Sequence, residues 1–158
     1  MKKMTENRLK NIALFYLERY ETSSGKLRQV LNKRLLKAAR EQEIPPQAQG
    51  WIENIIEEMQ RLGYINDTRY TQNAVERLCG AGKSRSFIRA KLKLAGISDE
   101  EIDQALSETD ELTSARLMVQ KKHLGNDFKR DLARLARAGF SYEIAREALD
   151  EVYNPTEF

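Results

Sequence analysis

The side chains in this chain best suited to engage a partner are cations, and they recur in trios at helical spacing. Lys33, Lys37 and Arg40 stand at i, i+4 and i+7. Arg85, Arg89 and Lys93 stand at i, i+4 and i+8, and Arg130, Arg134 and Arg137 at i, i+4 and i+7. On a helix each trio falls on one face. Each lies beside an apolar stripe: Leu27, Leu31 and Leu35 for the first, Ile88 and Leu92 for the second, Phe128, Leu132 and Leu135 for the third. Such a stripe turns to a core and leaves the cations toward solvent. Trios of this kind attract phosphates or an acidic groove on a protein. The bland reading is a solvated face that keeps each helix soluble. Recurrence in three segments is what favours a shared role.

Other chemistries have little to work with. His123 is the one histidine and Cys79 the one cysteine. No site needing two histidines, no intrachain disulfide and no cysteine-based zinc cluster can therefore form. Acids are abundant, 24 Asp and Glu against 27 Lys and Arg, but they fall on helix faces that read as exposed. A general acid–base pair needs them arranged face to face. The string "GAGKS", residues 80–84, imitates a phosphate-binding loop, yet Arg77 stands where that loop requires its first glycine. The loop also needs a preceding strand, whereas Thr71 to Leu78 reads as helix. No catalytic residue, cofactor or metal site is expected, and the chain reads as a non-enzyme.

The elements that must position the cations are helices. Hydrophobic residues make up 41% and charged residues 32%, with three prolines and eight glycines, a helix-forming composition low in apolar content for a compact globule. Apolar periodicity is helical throughout and no segment alternates as a strand would. Gly63, Gly82, Gly96, Gly125 and Gly139 each follow a periodic run, as left-handed C-terminal caps do. Ser98 with Glu101 forms a capping box. Asn66, Asn126 and Ser141 suit other helix starts, and Pro45-Pro46 suits a first turn. These signals predict helices near 5–21, 25–42, 46–62, 67–80, 84–95, 99–109, 112–124, 127–138 and 142–153. The cationic and then apolar N-terminus is interrupted by Glu18 and Arg19 and has no cleavage site, so it reads as an amphipathic helix and not a secretory leader. No apolar run approaches the ~20 residues of a membrane span. A cytoplasmic protein without membrane association is expected.

The helices repeat. "LKLAGISDEEIDQAL" (92–106) and "LARAGFSYEIAREAL" (135–149) match at a constant offset that carries Gly96 to Gly139 and Ser98 to Ser141. A helical unit recurring at a few tens of residues marks a stacked array. The fold class is therefore all-α, an elongated tandem array of three three-helix repeats over 1–63, 64–110 and 111–158. The first repeat is more diverged and uses "REQEIPPQAQ" where the others use a glycine turn. Each middle helix is basic. The stretch 83–93 has no acid, while 99–111 is acidic and has no base. If the repeats stack alike, the trios line a discontinuous basic track. Trp51 with Ile52, Ile55, Ile56 and Met59 reads as core, and Tyr64 and Tyr70 as aromatics that fill gaps and set the angle between repeats.

The segment "RLGYINDTRY", residues 61–70, carries a resemblance. Gly63, Tyr64, Ile65, Asn66, Asp67, Arg69 and Tyr70, followed by Gly82, Arg85, Ile88, Leu92, Lys93, Gly96, Ile97, Ser98, Ile102, Ala105 and Leu106, resemble the RecX family of bacterial recombination regulators. The resemblance extends over nearly the whole chain. It departs from the family at Thr71, where alanine is usual, and in the proline-bearing turn of the first repeat. What it implies is a monomer that binds the groove of the RecA filament on single-stranded DNA. It would damp filament growth, ATP hydrolysis, strand exchange and co-protease activity, and so act in DNA repair and the SOS response. Contact is expected through Arg85, Arg89, Lys93, Arg130, Arg134 and Arg137 ahead of Lys33, Lys37 and Arg40. The alternative is a direct DNA-binding helical-repeat module, since three-helix units with a basic helix also resemble helix-turn-helix readers. Against it, the basic helices lack the Asn and Gln that read adenine, and net charge is only +3.

Overall fold

The computed structural model describes residues 2–156. Among them are nine α-helices and no strand. The helices are α1 Glu6–Arg19, α2 Ser24–Ala39, α3 Ala48–Arg61, α4 Asp67–Gly80, α5 Arg85–Leu94, α6 Asp99–Ser107, α7 Glu111–Lys121, α8 Phe128–Arg137 and α9 Tyr142–Tyr153.

Most helix starts follow from a side-chain oxygen that accepts an otherwise unpaired first-turn amide. Ser98 accepts from the Glu101 amide (3.2 Å), Ser141 from Ile144 (3.3 Å) and Asn66 from Arg69 (3.0 Å). Three expectations at helix ends are corrected. Asp127, not Asn126, caps α8 by accepting from the Arg130 amide (3.2 Å), and its charge also favours the positive end of the helix. Pro45 and Pro46 lie in a turn before α3, with the Pro45 carbonyl accepting from the Ala48 amide (3.0 Å). Pro46 keeps the residue before it out of helical geometry. Helix α7 is closed by His123, at φ 51°, with the Leu124 amide bonded to the Val119 carbonyl (3.0 Å). That bond is the one Gly63 permits from Tyr64 to Met59 (2.9 Å). Histidine tolerates the left-handed region better than most residues, so Gly125 is not the cap.

The chain divides into two units. Unit 1 comprises Met1–Tyr70 with the turn Leu94–Ile97, and unit 2 comprises Thr71–Lys93 with Ser98–Phe158. In unit 1, α1, α2 and α3 pack about Leu9, Leu27, Leu31, Ile52, Ile55, Ile56 and Met59, all fully buried, with Trp51 half-buried against them. In unit 2, α7, α8 and α9 enclose Ala115, Leu135, Phe140, Ala145 and Leu149. Ile88, Leu92 and Ile102 are buried in the preceding helices.

The segment Gly63–Tyr70 is a folding junction inside unit 1. After Gly63 turns the chain, Ile65 goes into the core (2% exposed) while Tyr64 stays 55% exposed. Tyr64 is therefore not the gap-filling aromatic expected. Tyr70 is half-buried, with the Lys26 ammonium 5.5 Å from its ring centre. Asp67 accepts from both the amide (2.7 Å) and the hydroxyl (2.6 Å) of Ser24, the first residue of α2, where a carboxylate meets the positive end of the helix.

A second device occurs once in each unit. In unit 1 the wholly buried Ser23 hydroxyl accepts from the Lys26 amide (3.1 Å) and donates to the Ala95 carbonyl (2.5 Å). In unit 2 the buried Ser84 hydroxyl accepts from the Phe87 amide (3.1 Å) and donates to the Ala138 carbonyl (2.7 Å). Ala95 and Ala138 are equivalent positions, each just before a glycine of positive φ. Two residues past each serine the chain must be small. A Cβ on Gly25 would sit 2.5 Å from the Ala95 oxygen and 3.0 Å from the Gly96 Cα. In unit 2 a Cβ on Gly139 would sit 3.1 Å from the Ser86 Cβ.

Gly25→Ala should therefore lower stability by about 1–3 kcal/mol through overpacking against fixed backbone. Gly50→Ala, in α3 with nothing within 4 Å of the added methyl, should raise it by about 0.5–1 kcal/mol. Removing the hydroxyl in Ser84→Ala should cost about 1–3 kcal/mol by stripping a cap and leaving a buried carbonyl unpaired. Urea melts of the three variants test the ordering, and equal midpoints for the two glycine variants would refute the close approach.

Candidate functional site

Helices α2, α5 and α8 carry eight of the nine candidate cations, with Arg40 capping the end of α2, and the trios do not share one environment. The α5 trio is engaged inside unit 2. Arg85 donates through Nη2 to the Thr109 carbonyl (2.5 Å) and through Nε to the Thr109 hydroxyl (3.3 Å), while its amide donates to Glu111 Oε1 (3.3 Å). Arg85 thus closes the loop between α6 and α7. Arg89 pairs with Asp103 (2.6 Å) and Lys93 with Asp99 (3.1 Å). The acidic stretch 99–111 is the partner of the basic helix before it. The exposed pairs add little stability, but they neutralise the face that the sequence placed first for contact.

The other two trios are exposed and open. The side chains of Lys33 and Lys37 on α2, of Arg40 just past its end, and of Arg130, Arg134 and Arg137 on α8 make no hydrogen bond or ion pair with a described residue. One turn earlier on α2, Arg28 binds Glu53 in bidentate fashion (2.7 and 3.1 Å). That hydrogen bond holds the guanidinium above its ordinary pKa and the carboxyl below its own. Lys83, just before α5, and Lys91 on it approach the half-buried Phe87 ring at 4.9 and 5.7 Å, both within cation–π range.

What orients the α8 trio is an acid that sequence reasoning missed. Asp131 is 6% exposed, in a helix that also carries Lys129, Arg130, Arg134 and Arg137. It accepts from the Gly125 amide (2.9 Å) and the Tyr153 hydroxyl (2.7 Å), so it ties α8 both to the loop before it and to the end of α9. The Tyr153 ring meets Phe128 edge-on at 5.3 Å. Loss of water around the phenol, with the Asp131 hydrogen bond and charge, pushes the Tyr153 pKa up to about 12. A signal was present: Asp131 lies three residues after Phe128 and four before Leu135, on the stripe that faces the core.

Cys79 is half-buried and forms no disulfide. Among the described residues no group of His, Cys, Asp or Glu could hold a metal ion, and no helix is long and apolar enough to cross a membrane.

Comparison with known proteins adds kinship to this geometry. A family model described as RecX, second three-helix domain, matches residues 66–106. Over 164 residues the chain is 34% identical to Regulatory protein RecX of Myxococcus xanthus, which covers 94% of this chain and 88% of that protein. Regulatory protein RecX of Bacillus pumilus is 35% identical over 126 residues, and this chain spans only 47% of that protein's length. The crystal structure of RecX from Lactobacillus salivarius superimposes with a TM-score of 0.70 over 93% of this chain and 96% of that one, at 20% identity. At that identity the likeness establishes the all-α fold alone.

The Asp131–Tyr153 contact has a pH signature. Because the folded pKa of Tyr153 is raised from 10.0 to about 12, its stabilisation is fully present below pH 10 and is lost as pH rises through about 12. Absorbance titration at alkaline pH should show a tyrosine step near 12, and Tyr153→Phe should remove that step and lower the melting temperature at neutral pH. A step near 12 that persists in the variant would show that the hydrogen bond does not hold the Tyr153 phenol.

Proposed function

This chain belongs to the RecX family, and on that premise we propose that it is a non-catalytic regulator that binds RecA assembled on single-stranded DNA. In this reading it occupies the filament groove, and it restrains filament growth, ATP hydrolysis, strand exchange and co-protease action. It works as a cytoplasmic monomer organised in repeats 1–63, 64–110 and 111–158. The observation that carries the reading is the pair of open trios, Lys33/Lys37/Arg40 and Arg130/Arg134/Arg137. A cluster of like charges with no counter-ion among the described residues repels itself, and it is relieved by an external anion. DNA phosphates and carboxylates on RecA both qualify. Occlusion asks for shape and charge and for no reacting group, in keeping with relatives that are named regulatory proteins.

A second reading, direct DNA binding without RecA, is favoured by Phe87 with Lys83 and Lys91 around it. Aromatic rings bracketed by cations stack single-stranded bases with little sequence preference. It predicts tight binding to DNA alone that weakens steeply with salt.

The test is RecA ATPase on single-stranded DNA with added protein, beside DNA binding by the protein alone. Changing Arg130, Arg134 and Arg137 to Glu should raise the half-inhibitory concentration at least about tenfold, since charges that meet a partner set both rate and strength of encounter. The same change at Lys33, Lys37 and Arg40 should act in the same direction. Arg89→Gln with Asp103→Asn should have little effect because that pair is satisfied internally. Full inhibition by both folded triple variants would sink the assignment. Reversing Arg85 is not a clean test, because its contacts with Thr109 would be lost as well.

A further inference from the structure

Unit 1 carries a groove that the regulator reading does not use. It lies between α2 and the loop to α3, and has a volume of about 290 Å3. Leu35 and Ala39 of α2 and Ile44, Pro45 and Pro46 of the loop line it, and Leu36 forms its lip at 69% exposure. The Gln49 amide donates to Asn32 Oδ1 (2.9 Å) and ties α3 to α2 across it. Both prolines fix their backbone, so the wall is preformed and little ordering is needed to fill the groove.

The rim is charged on one side. Lys33 and Arg40 stand three residues before and four after Leu36, so they are its neighbours on the helix surface. Lys37 follows next around the same flank. None of the three is paired with a described residue, as shown above. Over 33–43 the bases are Lys33, Arg34, Lys37 and Arg40, and the acids are Glu41 and Glu43, so the segment is net positive. An apolar slot with unpaired cations along one edge selects for a ligand that is apolar at its centre and anionic beside it.

From this complementarity we propose that the groove docks an acidic segment of a partner protein, with one leucine or phenylalanine seated against Leu36, Ile44 and Pro46 and its carboxylates on Lys33 and Arg40. The volume is at the lower limit of small-molecule pockets, which run from ~300 to ~1,000 Å3, and suits a single large side chain. A sugar–phosphate backbone would meet the cations but would leave the apolar walls in water. The slot exists because the first repeat replaces the short glycine turn of the others with a longer proline-bearing loop.

The probe is a ten-residue peptide with one leucine and one phenylalanine among aspartates and glutamates, titrated into the 15N-labelled full chain. Amide shifts are expected at Asn32, Leu36, Ala39, Ala48 and Gln49 and not in unit 2. A peptide with lysine in place of the acids, and one with serine in place of Leu and Phe, should produce no such shifts. Lys33→Glu with Arg40→Glu should weaken binding about tenfold, and the exposed Leu36→Ser should abolish it with circular dichroism unchanged. No shift with the acidic probe, equal shifts with the lysine probe, or shifts at the same amides with oligo-dT would each overturn the proposal. RecA inhibition by Leu36→Ser is followed in parallel. Lost peptide binding with retained RecA inhibition supports the groove as a docking site of its own, and failure of the α8 variants to relieve RecA bears only on the regulator reading.

Discussion

A serine hydroxyl that accepts an amide proton from its own helix can still give its proton to a carbonyl elsewhere, and this double use governs how the middle helices are held. Ser23 and Ser84 each cap a helix and each satisfy the carbonyl just before a glycine turn, at Ala95 and Ala138. Carbonyls at a helix end have no partner within the helix. Burying them without a donor would cost more than the bond returns when made. The hydroxyl must therefore be buried with them, and the two backbones must approach closely. Gly25 in unit 1 and the Ser86–Gly139 contact in unit 2 are the consequences of that approach. Asp67 then secures the start of α2 from the other side by taking both the amide and the hydroxyl of Ser24. The conspicuous "GYIND" segment thus works mainly as a clamp on the helix that bears Lys33, Lys37 and Arg40.

Once the helices are fixed, their charges divide by what stands next to them. Helix α6 carries Asp99 and Asp103, and both reach back to Lys93 and Arg89 of α5. Helix α9 sends Glu151 to Arg116 of α7 instead. In α8 the one acid, Asp131, is turned inward to Gly125 and Tyr153. The same basic composition therefore yields a neutralised face on α5 and an open one on α8. A buried carboxylate that is fully hydrogen-bonded can be tolerated, and here it fixes the rotation of the helix whose outer face is cationic.

The helices, their order and most of their ends were legible in sequence because apolar period and cap chemistry are local. The errors arose where two local signals competed or where a partner was distant. Asn126 and Asp127 are both good caps, and the charged one won. Pro45 and Pro46 form a turn closed by the Ala48 amide on the Pro45 carbonyl, so α3 starts only at Ala48. His123 took a left-handed conformation that was assigned to Gly125. Tyr64 and Ile65 compete for one inward position after Gly63, and the β-branched aliphatic residue occupies it. The cation trios were found by spacing, but their pairing was not. Whether Arg89 is open depends on Asp103, which spacing within α5 cannot reveal. The serines were also missed, since Ser23-Ser24-Gly25 and Ser84-Arg85-Ser86 look like ordinary caps until the recipient carbonyl is known.

The third middle helix makes the rule clearer by breaking it. Where α2 and α5 begin with serine, α8 begins with Asp127, which caps its helix equally well through the Arg130 amide. An ionised carboxylate accepts hydrogen bonds and donates none. It can complete the start of α8, but it could not satisfy the carbonyl of a further glycine turn, and it would repel one. Two residues on, Lys129 stands where Gly25 and Ser86 are small, so close approach is blocked sterically as well. Asp127 therefore completes the start of α8 as Ser23 and Ser84 complete α2 and α5, without the second bond that those hydroxyls make.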